Sequence, residues 1–257
     1  MRSVLSTRGA FETPLSRREV LAAGALGLAA APWLAMPARA QAASQRLVTV
    51  ELFTSQGCSS CPPADALLRR LAMRDDVLAL SWPVDYWDYL GWHDTMAQHA
   101  FTERQRGYAR KIDPHQPYTP QMILDGVVDV VGNNPIQVDA ALDARLKLRS
   151  TRVAITPTMM SEKLMFEVGA GPALDATLWL VRYRALVEVE VEAGENQGRD
   201  LTYANVVESC SPLGMWKSAP ASFELTRADL GPMDGNYKIA AILQCADCGP
   251  VLGAARL

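Results

Sequence analysis

Hydrophobic periodicity changes once along this chain, near Ser150. Before that point, apolar runs of strand length alternate with segments whose apolar residues recur every three or four positions. Leu47 to Phe53 predicts a buried strand, Ala64 to Met73 a helix with Leu67, Leu68 and Leu71 on one face, and Val77 to Trp82 a second strand. Thr102 to Lys111 predicts a helix for which Thr102 is a candidate N-cap. Gln121 to Leu124 and Val127 to Val131 flank Asp125-Gly126, the strongest short hairpin signal. A further helix opens with Asn134 as cap and Pro135 in the first helical position, striped by Ile136, Leu142 and Leu146. Beyond Ser150 the helical period disappears. Short β-rich runs follow, Val153 to Thr156, Leu164 to Val168, Thr177 to Tyr183, Leu186 to Val191, Leu201 to Val207 and Tyr237 to Leu243, separated by Gly, Pro and Asn clusters. The pattern predicts two domains, an α/β unit over residues 41–150 and an all-β sandwich-like domain over 151–257.

The first forty residues stand apart. Ser16-Arg17-Arg18-Glu19-Val20-Leu21 sets paired arginines ahead of an apolar run that ends at Ala38-Arg39-Ala40, a small-x-small cleavage signature. The run is too short and too weakly apolar to span a bilayer. It reads as a twin-arginine export signal cleaved near Ala40, which places the mature protein in the periplasm with no membrane anchor; a signal for the ordinary secretory route or an Arg-rich targeting peptide are the alternatives. The whole chain has 257 residues and a formal charge of −3. Losing five arginines and two glutamates with the signal leaves 20 basic and 26 acidic side chains, a net −6. An acidic chain without a basic run is a poor match for nucleic acid.

Five cysteines are too few for a disulfide scaffold, so their spacing carries the information. Cys58-Ser59-Ser60-Cys61 falls between the first predicted strand and helix. There a thiolate at Cys58 gains from backbone N–H groups at the helix start, and Cys61 is placed to resolve a mixed disulfide. A structural disulfide is the plainer alternative. A zinc site shared with Cys245-Ala246-Asp247-Cys248 is another, although the two pairs lie far apart in sequence. Cys245 and Cys248, at a strand end followed by turn residues, are expected to close a local disulfide and leave Cys210 buried and reduced.

A strand ending in Glu51-Leu52-Phe53, then C-x-x-C, a helix, and Tyr118-Thr119-Pro120 opening a strand that turns at Asp125-Gly126 resembles the thioredoxin fold. The longer stretches Glu51 to Asp65, Val84 to Trp92 and Tyr118 to Met122, with Gly194-Glu195-Asn196, Asn205-Val206-Val207 and Gly253-Ala254, are similar to the secreted domain of unknown function 1223 family. The resemblance implies a thioredoxin-like domain, a central mixed sheet flanked by helices with an aromatic insertion, ahead of the β-rich part. It implies Cys58 as attacking thiol, Cys61 as resolving thiol, a cis peptide at Thr119-Pro120, and Thr119 pairing with a substrate chain. Glu51 lies near the position of a buried acid that relays the proton of the second thiol; an outward-facing strand glutamate is the other reading. Pro62-Pro63 disfavours helical residues at Cys61 and Pro62, which puts the helix start at Pro63 and weakens its pull on Cys58.

Trp82 to Trp92 holds three of the six tryptophans and two of the tyrosines. Such density packs an insertion onto its own domain, or makes Trp87 and Tyr89 a lip beside the thiols. His93, His99 and His115 show no metal-ligand spacing, and no metal or other cofactor is expected. The leading reading is a periplasmic thiol-disulfide oxidoreductase acting on a protein or small-molecule thiol or disulfide, with an electron partner the sequence does not identify. The alternatives are a Cu(I) carrier that adds His115 to the thiols, and a binding module working through the β-rich part.

Overall fold

The computed structural model describes residues 44–112 and 116–257. The segment read as an export signal and His115 lie outside them.

All seven residues of β1 (Val48–Thr54) and all seven of β2 (Val77–Pro83) are buried, as expected of parallel strands covered on both faces. β1 pairs in parallel with β2 and antiparallel with β3 (Gln121–Leu124), which turns back at Asp125-Gly126 into β4 (Val128–Val131). Asp125 and Gly126 have φ of 52° and 68°, the positive values such a turn demands. Strand alternation then sorts the two faces. Val48, Val50 and Leu52 pack against α1 (Pro62–Ala72) and α3 (Pro135–Lys147), whereas Phe53 packs toward α2 (His99–Lys111).

A side-chain cap accounts for one of the three described α-helix starts. The Asn134 side chain accepts from Gln137 N as expected. Thr102 does not cap. The helix α2 starts earlier, after Gln98, and the Thr102 hydroxyl donates instead to Asp85 Oδ1 at 2.6 Å. α1 starts at Pro62, one residue before the expected Pro63, and Cys61 takes αR angles as its N-cap despite the proline that follows. The bond from Cys61 N to Cys58 O, with Ala64 N and Asp65 N both donating to Cys61 O, compensates that local preference.

Past residue 150 the chain forms β5 (Ile155–Met159), β6 (Lys163–Val168), β7 (Asp175–Val191), β8 (Arg199–Lys217), β9 (Ala221–Thr226), β10 (Tyr237–Cys245) and β11 (Val251–Arg256). The two short strands expected between Thr177 and Val191 are one long strand, because a register shift at Arg182/Tyr183 absorbs the break in alternation. β11, rich in Gly and Ala, carried no strand signal.

The expected boundary near residue 150 marks the change in period but no break in structure. One eight-stranded mixed sheet runs β11-β10-β7-β8-β2-β1-β3-β4, and the described residues belong to one compact unit. The junction is narrow: Ser81 pairs with Val206, and Asn205, in a left-handed conformation at φ 49°, donates from Nδ2 to Ala79 O. The three-stranded sheet β5-β6-β9 packs Ile155, Leu164 and Phe166 against Leu178, Ile239 and Leu243 of the large sheet. The β-rich part is therefore two layers, one of which continues into the α/β part. The far end of the β7–β8 hairpin packs Val191, Leu201 and Tyr203 around Met96 and brings the hairpin tip to the loop that carries Cys58.

Candidate redox site

Cys58 and Cys61 form a disulfide, with Cα atoms 5.4 Å apart. They occupy the loop from the buried end of β1 to the N-terminus of α1. Ser59 and Ser60 are exposed, while Cys58 is 2% and Cys61 0% exposed. Only a sliver of Cys58 reaches solvent, because the chain folds over it from two sides.

One side is the segment after β2. Trp87 Cβ stands 3.1 Å from where a Cβ on Gly57 would lie, and Trp87 Nε1 donates to Thr119 Oγ1 at 2.7 Å. The Thr119-Pro120 peptide is cis. Pro120 O accepts from Gly132 N, and the next residue, Asn133, reaches Ser60 O. Cys58, Cys61, Thr119, Pro120 and Trp87 are thus assembled at one end of the sheet. The other side is the β7–β8 hairpin tip. Asn196, 1% exposed, donates from Nδ2 to Gln56 O at 2.9 Å and to Cys58 O at 3.0 Å, and Glu195 Oε2 accepts from Ser59 N. Trp92 Nε1 donates to Gln56 Oε1, and Asp94 accepts from Gln56 N. Asn196→Ala leaves two carbonyls without this donor, at a cost of about 1–3 kcal/mol. The measurement is thermal melting with timed alkylation of reduced protein, and the expected result is a lower melting temperature with faster alkylation of Cys58.

Two expected members lie elsewhere. Tyr89 projects into solvent, 78% exposed, and forms no wall of the site. Glu51 is neither a relay to Cys61 nor an outward-facing residue. It sits on the α2 face of β1, opposite the face on which α1 packs, fully buried against Arg104. Arg104 Nε and Nη2 donate to its two carboxylate oxygens at 2.6 and 2.9 Å, and Tyr108 Oη donates at 2.5 Å.

The buried acid near the thiols is Asp65, on α1. Its backbone N donates to Cys61 O, Thr54 Oγ1 donates to its Oδ2, and Oδ1 has no partner. Burial pushes its pKa up to about 8, Thr54 opposes the rise, and the Asp94 carboxyl adds to it. Asp65 was legible in principle, since it interrupts the apolar stripe of Ala64, Leu67, Leu68 and Leu71 one helical turn after Cys61.

No cation approaches the disulfide through the described hydrogen bonds and ion pairs. Pro62 and Pro63 occupy the first two helical positions, which have no N–H to offer, and the next two amides are spent on Cys61 O. Cys245 and Cys248 are free thiols, as is Cys210. The disulfide expected between Cys245 and Cys248 is absent: Cys245 ends β10, paired with Ala176, while Cys248, in the turn that follows, packs against the core on the α2 side. Among the described residues, no group of three or more His, Cys, Asp or Glu side chains suits a metal ion.

Residues 49–244 match the family model described as "Protein of unknown function (DUF1223)". The chain belongs to this family. A crystal structure of a protein from Agrobacterium tumefaciens shares 32% identity with a TM-score of 0.72, covering 84% of this chain and 96% of that one. HBP35 of Porphyromonas gingivalis is similar in fold alone, at 10% identity and TM-score 0.63 over 84% of this chain and 76% of that one. No curated protein matches.

Proposed function

We propose that this family member is a periplasmic thiol-disulfide oxidoreductase whose working pair is Cys58 and Cys61 in a thioredoxin-like unit. The observation that carries the reading is the convergence of the closed C-x-x-C ring, the cis Thr119-Pro120 loop and Trp87 at one end of the sheet. The order β1, C-x-x-C, α1, β2, α2, cis-Pro, β3, β4, α3 supports the thioredoxin-like part.

In the proposed cycle the Cys58 thiolate attacks one sulfur of a substrate disulfide, forming a mixed disulfide and expelling the other substrate sulfur as a thiol. Asp65 takes the proton of Cys61, and the Cys61 thiolate then attacks the Cys58 sulfur, closing the ring and releasing the second substrate thiol. The protein loses two electrons and the substrate gains them. A reduced thiol partner, whose identity the fold leaves open, resets the ring. Thr119 presents its backbone to the substrate chain, and Trp87 borders the entry.

The electrostatics favour the reducing direction. A thiolate is stabilised by nearby cations and free amides; among the described contacts no cation reaches Cys58, the first turn of α1 has no free amide, the neighbour of its sulfur is the neutral Ser60 hydroxyl, and Glu195 places a carboxyl group beside the loop. A pair whose thiolate is poorly stabilised holds its disulfide firmly and donates electrons readily once reduced.

Trapping tests the reading. Reduced Cys61→Ser incubated with a disulfide-bonded protein substrate should accumulate a mixed disulfide through Cys58, because attack proceeds and resolution does not. Cys58→Ser should accumulate none. Equal trapping by the two variants, or none by either, overturns the proposal.

A further inference from the structure

On the α2 face of the sheet lies a cavity of about 520 Å³ that the proposed cycle does not use. Trp82, Phe101, Arg104, Trp179, Cys210 and Cys248 are among its lining residues. It contains the thiols that remain after Cys58 and Cys61 are set aside.

Two locally unfavourable features serve one atom there, the sulfur of Cys248. The β10–β11 hairpin closes with Gly249 N donating to Ala246 O, and its central residues Asp247 and Cys248 both have φ of 54°. The second of these positions normally carries glycine. Opposite it, the helix α2 has Gly107 where a better helix former would stand. A Cβ on Gly107 would lie 2.5 Å from Cys248 Sγ. Cys248 is thus held in a turn position that disfavours it and seated on a gap in the helix, with Sγ directed to Arg104 O at 3.5 Å.

The surroundings differ from those of Cys58. Arg104 lines the same cavity, and Arg110 Nη2 stands 3.8 Å from the point where the Gly107 Cβ would be. Burial outweighs both guanidiniums, so what sets this thiol apart is its place on the cavity wall and not a depressed pKa. Trp82, Phe101 and Trp179 give the cavity apolar walls, and the cationic charge of Arg104 is already matched by Glu51. With Glu103, Glu208 and Asp247 also on the lining, the space suits an uncharged organic group better than an anion.

We propose that Cys248 is a second reactive thiol, which takes up a small uncharged organic disulfide and houses the transferred group in this cavity. The Cys248 thiolate attacks one sulfur of R–S–S–R. A Cys248–S–S–R bond forms as the original S–S bond breaks, and the departing sulfur takes up the proton that Cys248 lost and leaves as RSH. The protein thiol is oxidised and the small disulfide reduced, with Cys210 on the same cavity as the neighbouring thiol. Burial pushes the Cys248 thiol up; Arg104 and Arg110 pull it down, and Glu51 and Asp247 push it up, for a net rise. The reaction therefore accelerates toward alkaline pH. This site is independent of the reading given to Cys58 and Cys61.

The test uses the full mature chain carrying Cys58→Ser and Cys61→Ser, so that only Cys210, Cys245 and Cys248 remain. The protein is exposed to 2-hydroxyethyl disulfide and, in parallel, to oxidised glutathione, then acid-quenched and mapped by mass spectrometry. The expected result is modification of Cys248 about ten-fold faster than of Cys210 or Cys245, faster with the neutral reagent than with glutathione, and slowed by Gly107→Ala. Two other results overturn it: Cys210 or Cys245 reacting first, or Cys248 showing no preference for the neutral reagent over glutathione. Circular dichroism of Gly107→Ala separates a displaced sulfur from an unfolded variant, and folded Gly107→Ala reacting at the parent rate also counts against the seat.

Discussion

Glu51→Ala is expected to destabilise the protein by about 3–5 kcal/mol, the range for breaking a buried ion pair from one side. The cause is the group left behind. Arg104 lies in the interior with its charge answered by Glu51, and its Nη2 also donates to Tyr108 Oη and Gln244 Oε1. Burial opposes the charged guanidinium, yet the Glu51 carboxylate outweighs that penalty and raises the Arg104 pKa well above its ordinary value. Without Glu51 the penalty remains and the compensation is gone. Replacing both partners, Glu51→Leu with Arg104→Met, should recover most of the loss, because no unpaired charge is then buried. Urea titration of the two single variants and the double variant measures this, and additive losses would contradict it. The milder Glu51→Gln should leave thiol exchange at Cys58 near the parent rate, since the side chain faces α2 and not α1.

Asp65→Asn is expected to change stability and exchange in opposite directions. A carboxyl whose pKa rises from 3.8 in the unfolded chain to about 8 in the fold binds its proton more tightly when folded. Its contribution is fully present below the unfolded value and is lost as pH rises through the window between the two. Every factor of ten in proton affinity is worth about 1.4 kcal/mol, so parent stability should fall by a few kcal/mol from about pH 4 to about pH 8 and then level off. Asparagine carries no such titration. The variant should show a flatter profile over that window and exceed the parent at pH 9. Exchange should suffer, because Cys61 has lost its proton acceptor and the mixed disulfide at Cys58 resolves more slowly. A merely structural Asp65 would alter the stability profile and leave the resolution rate unchanged.

The contrast between Asp65 and Glu51 shows what the sequence made legible. Strand, C-x-x-C and helix follow one another between Val48 and Ala72, so local periodicity was enough to find β1, Cys58, Cys61 and α1. The Asp125-Gly126 turn and the Asn134 cap were equally local. The partner of Glu51 was not: Arg104 is 53 residues away, and only the packing of α2 on the sheet brings them together. Distance in sequence also hid the continuity of the sheet across residue 150, which depends on Ser81 meeting Val206 and on Asn205 reaching Ala79. Asn196 and Glu195 were part of a family resemblance, but nothing near them in sequence tells that a hairpin tip closes over Cys58. β11 escaped because its glycine and alanines have weak strand propensity, and its place comes from pairing with β10.

The most direct test of the central claim is a single-turnover reaction between stoichiometrically reduced protein and a disulfide-bonded substrate such as insulin, quenched in acid and mapped by mass spectrometry. The account predicts that one Cys58–Cys61 disulfide forms for each substrate disulfide opened, while Cys210 and Cys245 remain thiols. Reduction of the substrate with Cys58 and Cys61 still as thiols, or reduced protein that leaves the substrate intact, would contradict it.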